Sequence, residues 1–204
     1  MLQPSPAVAT EYALVQPQPT LIGPMTPEAI TAFQRTVTLQ GQGEAVQFFD
    51  GMPALTTALA FATIYDIADE AVFHISTGEL VLLFDHQAKE TLRAEEVDEA
   101  IWGEILKVKN KGISVQDIAA PAPKITLDLA TLWSRVREHN DIITRTKLFI
   151  KSLAPILTPA MTIHLHGEIP NLALLSAIYL VRPYGYTITY ADAHGGNVTL
   201  FSNL

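Results

Sequence analysis

The chain has 204 residues and a net charge of −8 at pH 7, with 49% hydrophobic and 17% charged residues. That length can bury a sizeable core, either as one domain or as two small halves packed as one body. The acidity argues against nonspecific duplex binding, which rests on neutralising many phosphates, and the absence of cysteine excludes disulfides, thiolate nucleophiles and zinc–thiolate sites.

From the N-terminus, "MLQPSPAVATEYALVQPQP" has no basic region followed by an apolar core, so it reads as an ordinary N-terminus and not a secretion signal. Within it "EYALVQ" (11–16) is a leading strand. "TPEAITAFQRTV" follows as a helix, with Thr26 as N-cap and Pro27 at the first helical position. "VQFFDGMPALTTALAFAT" (46–63) then runs from a strand through a glycine turn and a proline into a small-residue helix. "EAVFHIS" (70–76) and "GELVLL" (78–83) form a strand pair closed by the turn "STG".

The acidic stretch 85–112 carries Leu92, Val97, Ile101, Trp102, Ile105 and Leu106 at helical intervals. It is expected to be an amphipathic connecting helix, capped near Asn110 to Gly112. "AAPAPK" (119–124) is a stiff joint into the second half. There "KITLDL" is a strand and roughly 141–154 a helix, and "IHLHGEIPNLALLSAIYL" (163–180) repeats the strand, glycine, proline and helix order. "YTITYAD" (186–192) and "GNVTLF" (196–201) close the half around "DAHGG". No apolar run reaches the ~20 residues of a bilayer span, so no transmembrane helix and no membrane partner are expected, and the lack of cysteine fits the cytoplasm as the expected setting.

Aligning Pro53 with Pro170 sets Val46, Phe48, Leu55 and Ala60 opposite Ile163, Leu165, Leu172 and Ala177. A match at a fixed offset is the mark of an internal repeat. The fold class is therefore α/β: two related halves of mainly parallel sheet with helices and an edge hairpin, packed as a pseudo-dimer. The boundaries are 1–84 for the first repeat, 85–121 for the linker helix and joint, and 122–204 for the second repeat.

A strand that ends in a glycine turn and starts a helix at a proline leaves backbone N–H groups at the carboxyl edge of the sheet, which suits an anion. A pseudo-twofold axis brings two such junctions across one cleft. Any α/β protein must also turn from strand to helix, so one junction alone carries no function.

"LHGEIPNLALLSAIYLVRPYGYTITYAD" resembles the strand, G-x-x-P, helix and Tyr-bearing strand of the small CRISPR-associated ring-nuclease families, which bind and cut cyclic oligoadenylate second messengers. The likeness covers about forty residues closely and, through the repeat, most of the rest weakly. In those families two identical subunits form the cleft, supplied here by two halves of one chain. The first junction reads "DGMP", with Asp50 where the second has Gly167, so the halves cannot contribute equally.

The resemblance implies a cyclic oligoadenylate held by Asp50, Gly51, Met52, Gly167, Glu168, Asn171 and His194, with no cofactor and no metal. It implies cleavage by a ribose 2′-OH, with His166 as acid or positioning group and Arg182 as phosphate clamp. The bland readings are a hydrogen-bonded strand-end histidine, a solvent-facing arginine, a capping Asn171 and a plain hairpin turn at His194. His164 shares a strand face with His166. A metal site from His164, His166 and His194 lacks a carboxylate at a telling spacing. Tyr184, Tyr186 and Tyr190 share one face and suit core packing. Ring cleavage that switches off CRISPR antiviral signalling, a non-cleaving sensor or sequestering module, and a protein-interaction scaffold all remain open. The chain acts as a monomeric pseudo-dimer or a homodimer.

Overall fold

The computed structural model describes residues 13–14, 25–76, 78, 80–86, 113–116, 124–130, 139–153, 161–182 and 187–202. Of the linker helix expected over 85–112, residues 87–112 lie outside them, as do 119–123 of the joint, Tyr184 and Tyr186, while Asp85 ends a strand and does not begin the linker helix. Among the described residues no helix is long and apolar enough to cross a membrane.

The first sheet holds β1 (Ala13–Leu14), β2 (Ala45–Phe49), β3 (Glu70–His74) and β4 (Leu80–Asp85) in that spatial order. β1, β2 and β3 run parallel, and β4 turns back antiparallel at the edge. Helix α1 (Pro27–Gly41) links β1 to β2 and buries Phe33 and Val37, four apart on one face. Thr26 caps it, its Oγ1 accepting from the Ala29 N–H at 3.2 Å, and Pro27 starts it, as the sequence predicts. Helix α2 (Ala54–Ile64) links β2 to β3 and is apolar nearly all round, the pattern of a helix buried on every side.

The second sheet holds β5 (Ile113–Gln116), β6 (Lys124–Asp128), β7 (Thr162–His166), β8 (Thr187–Ala191) and β9 (Asn197–Phe201). β6, β7 and β8 are parallel, and β9 is antiparallel, so the pairings of β1 to β4 recur in β6 to β9. Helix α3 (His139–Leu153) stands between β6 and β7, and α4 (Asn171–Val181) between β7 and β8. The offset that carries Pro53 to Pro170 also carries the bulge at Ala71/Val72 to the bulge at Ile188/Thr189. β5 corrects one expectation: the segment read as pure linker contributes a fifth strand, antiparallel to β6. Its four residues are too short to signal a strand by alternation.

Strand parity decides which side chains reach which layer. Val46 and Phe48 on β2, and Ile163 and Leu165 on β7, are fully buried, while Gln47, His164 and His166 face the other way. Between the halves α2 packs against α4 and β9, and α4 also touches β4. The buried residues of both halves thus form one continuous apolar cluster.

Candidate functional site

Both junctions take their prolines as helix N-caps. Pro53 sits at φ −57° and ψ 129°, and Pro170 at φ −54° and ψ 138°. A proline before the first helical residue enforces the extended entry without offering a side-chain acceptor. The first intrahelical bonds come from Thr57 N–H to the Pro53 carbonyl (2.9 Å) and from Leu174 N–H to the Pro170 carbonyl (3.1 Å). The preceding N–H groups therefore stand at positive helix ends with no side-chain cap.

The turns themselves differ. The left-handed residue is Gly51 (φ 83°), two before its proline, in the first junction, and Gly167 (φ 108°), three before its proline, in the second. Each glycine has an acid beside it, Asp50 before the one and Glu168 after the other. The halves are thus unequal at the atoms nearest a ligand.

The two junctions line one cleft of about 380 Å³, within the size range of small-molecule sites. Asp50, Gly51 and Met52 form one wall, and Glu168 and Asn171 the other. The β8–β9 turn closes it with Asp192 and His194. Six of the nine residues implied by the resemblance therefore meet there. Among the described residues no Lys or Arg lines the cleft, and three carboxylates do.

Asn171 is 7% exposed, and its Nδ2 donates to the Met52 carbonyl at 2.7 Å, joining one junction to the other. It neither caps its own helix nor presents its amide nitrogen to a ligand. Asp192 Oδ1 accepts from His194 N–H (3.0 Å) and Gly196 N–H (2.7 Å), which shapes the turn that carries His194. Tyr190 is fully buried and donates its hydroxyl to the Gly167 carbonyl at 3.2 Å. Burial, with Asp192 and Glu168 nearby, pushes its phenol up to about 12. Asp192 and Tyr190 were missed as site residues, although "DAHGG" carries the Asp-then-Gly signal of a side-chain-stabilised turn.

Gly167 lies beneath the cleft as the pivot of its turn. His166 and Arg182 are not brought to it. The His166 side chain leaves β7 on the face opposite Ile163 and Leu165, with its ring 6.1 Å from that of His164 and its register partners Asp128 and Ala191. Arg182 caps the far end of α4, about 16 Å from Asn171 by helical rise. There it pairs with Asp66 at 3.3 Å, and its guanidinium carbon lies 4.6 Å from the Phe201 ring centroid. It fastens one half to the other.

His164 bonds Thr189 Oγ1 through Nδ1 at 2.7 Å. Burial holds its pKa below the ordinary 6.5, with Lys124 and His166 adding to the shift. The unfolded chain then binds the proton more readily than the folded one, so this group's contribution to stability falls as pH drops through about 6.5. His164→Gln is expected to flatten the decline of Tm between pH 7 and pH 5. Parallel Tm profiles for the two proteins would reject that role. Among the described residues no three His, Asp or Glu side chains are grouped to hold a metal ion.

Comparison with known proteins finds no family model that matches the chain and no curated protein that matches it.

Proposed function

We propose that the chain is two related α/β halves packed as a pseudo-dimer, whose shared cleft binds a cyclic oligoadenylate in the cytoplasm as part of CRISPR antiviral signalling. The observation that carries this reading is the meeting of both Gly/Pro junctions, with two uncapped helix N-termini, in one cleft of about 380 Å³. The resemblance of residues 165–192 to ring nucleases supplies the ligand class. Backbone N–H groups at the helix ends take phosphate oxygens. Asp50 and Glu168 accept hydrogen bonds from ribose hydroxyls and the adenine amino group, as strand-end acids do in dinucleotide sites.

Binding is better supported than cutting, because the cleft contains neither His166 nor Arg182. If the ring is cut, a 2′-OXYGEN–phosphorus bond forms as the 5′-oxygen–phosphorus bond breaks. The 2′-hydroxyl gives up its proton as it attacks, the departing 5′-oxygen takes one, and a 2′,3′-cyclic phosphate remains. Among the described lining residues His194 carries the imidazole, whose two ring nitrogens can take up the 2′-hydroxyl proton and hand one to the 5′-oxygen, so it is the group to move that proton.

The test is incubation with cyclic tri-, tetra- and hexa-adenylate, followed by calorimetry and separation of products. Products identify a ring nuclease, binding without products a sensor or sequestering module, and neither a protein-interaction scaffold. With no Lys or Arg among the described lining residues, affinity is expected to change less than about threefold between 50 and 200 mM salt, far from the 10³–10⁵-fold loss of a protein with six to ten cationic phosphate contacts. A steep salt dependence would place the ligand elsewhere.

A further inference from the structure

We infer that Asn171 is a positioning residue, a latch that sets the separation of the two junctions and so holds the cleft preformed. Its amide is almost wholly buried and reaches across the chain to the Met52 carbonyl at 2.7 Å. The helix that carries it is packed against α2, so the bond ties two helix N-termini that belong to different sheets. The latch has no counterpart from the first repeat. At the repeat offset the residue opposite Asn171 is Ala54, which has no donor to return. At the other end of the same two helices, Arg182 holds Asp66 at 3.3 Å and lies over Tyr65 and Phe201. Asp66 is 66% exposed, so that ion pair is a weak surface tie at the far end, and the Asn171–Met52 bond is the polar tie at the cleft end.

Asn171→Asp keeps the side-chain shape but replaces the donor by an acceptor facing a carbonyl oxygen, turning the latch into a repulsion. Asn171→Ala simply removes it. The chain has no native cysteine, so spin labels at Asp50→Cys and Glu168→Cys, one on each junction and both exposed, report the width directly. The expected result is one narrow distance distribution with Asn171, a broader one with Ala and a longer mean with Asp, while the far-ultraviolet circular dichroism stays native. A residue that only contributes stability lowers Tm without moving the label distance in the folded protein.

The consequence for affinity rests on the proposed ligand. If the unlatched cleft is closed about a tenth of the time, cyclic tetra-adenylate binds about tenfold more weakly to Asn171→Ala without labels. Wild-type distances in both folded variants overturn the latch, as does failure of both variants to fold, which makes Asn171 a folding residue. Absence of cyclic oligoadenylate binding to the unsubstituted protein overturns the proposed ligand and leaves the distance comparison to decide the latch.

Discussion

Phe61→Ala is expected to lower stability by about 3–5 kcal/mol, the usual cost of deleting a large buried aromatic. For a chain of this size that is a fall in Tm on the order of 10 °C. Phe61 is fully buried on α2 and meets Phe48 and Phe84 edge-on, both at 5.7 Å between ring centroids. A ring-sized void there cannot be filled by rotation of its neighbours, because Phe48 and Phe84 are themselves closed in by the sheet. The same cluster continues through Tyr65 to Tyr179 (5.9 Å) and Phe201 (5.7 Å) in the other half. The damage is therefore expected to spread. Denaturant unfolding followed by circular dichroism should remain a single transition for the variant, and hydrogen exchange should speed up in β7 and β8 as well as in β2 and β3. Two separated transitions, with the second half untouched, would show that the shared core does not couple the halves.

Much of this architecture was legible because each signal was local. Thr26 and Pro27 mark a helix start, the glycine and proline of each junction mark a strand end, and the largely apolar "ALTTALAFATI" and "NLALLSAIYLV" mark buried helices. Two misplacements had signals that were open to reading. Ile163 and Leu165 set the parity of β7, which sends His164 and His166 to the face away from the helix. Arg182 follows an eleven-residue helix, and the length of that helix alone separates it from the junction. The Asn171 bond to Met52 is different in kind. It joins residues far apart in the chain, through a geometry that depends on how two helices pack, and no local pattern announces such a contact. The one-position shift between Gly51 and Gly167 was visible as "DGMP" against "GEIP", but which residue would take the left-handed conformation follows only from the backbone.

That shift makes the two glycines a controlled pair. Gly167→Ala is expected to cost about 4 kcal/mol, combining roughly 1–3 kcal/mol for a side chain in the left-handed region with a further 1–3 kcal/mol for overpacking. At Gly167 (φ 108°) an added Cβ would lie 2.9 Å from the Ala130 backbone nitrogen and 3.3 Å from Asp128 Oδ1. A backbone atom two residues past the end of β6 cannot rotate away, so the turn itself must shift. Gly51 (φ 83°) shares the conformational cost, but an added Cβ there meets nothing within 4 Å. Gly51→Ala should therefore lose only the first part, roughly 1–3 kcal/mol. The functional consequences diverge in the same way. A displaced Gly167 carries its carbonyl away from the Tyr190 hydroxyl and moves Glu168 and Asn171, two residues of the cleft wall, whereas Gly51→Ala leaves the far wall in place. Thermal melts and cyclic tetra-adenylate titrations of the two variants side by side read both effects. Equal losses of Tm would show that the close approach to Ala130 relaxes freely, and the second junction would then be no more tightly built than the first.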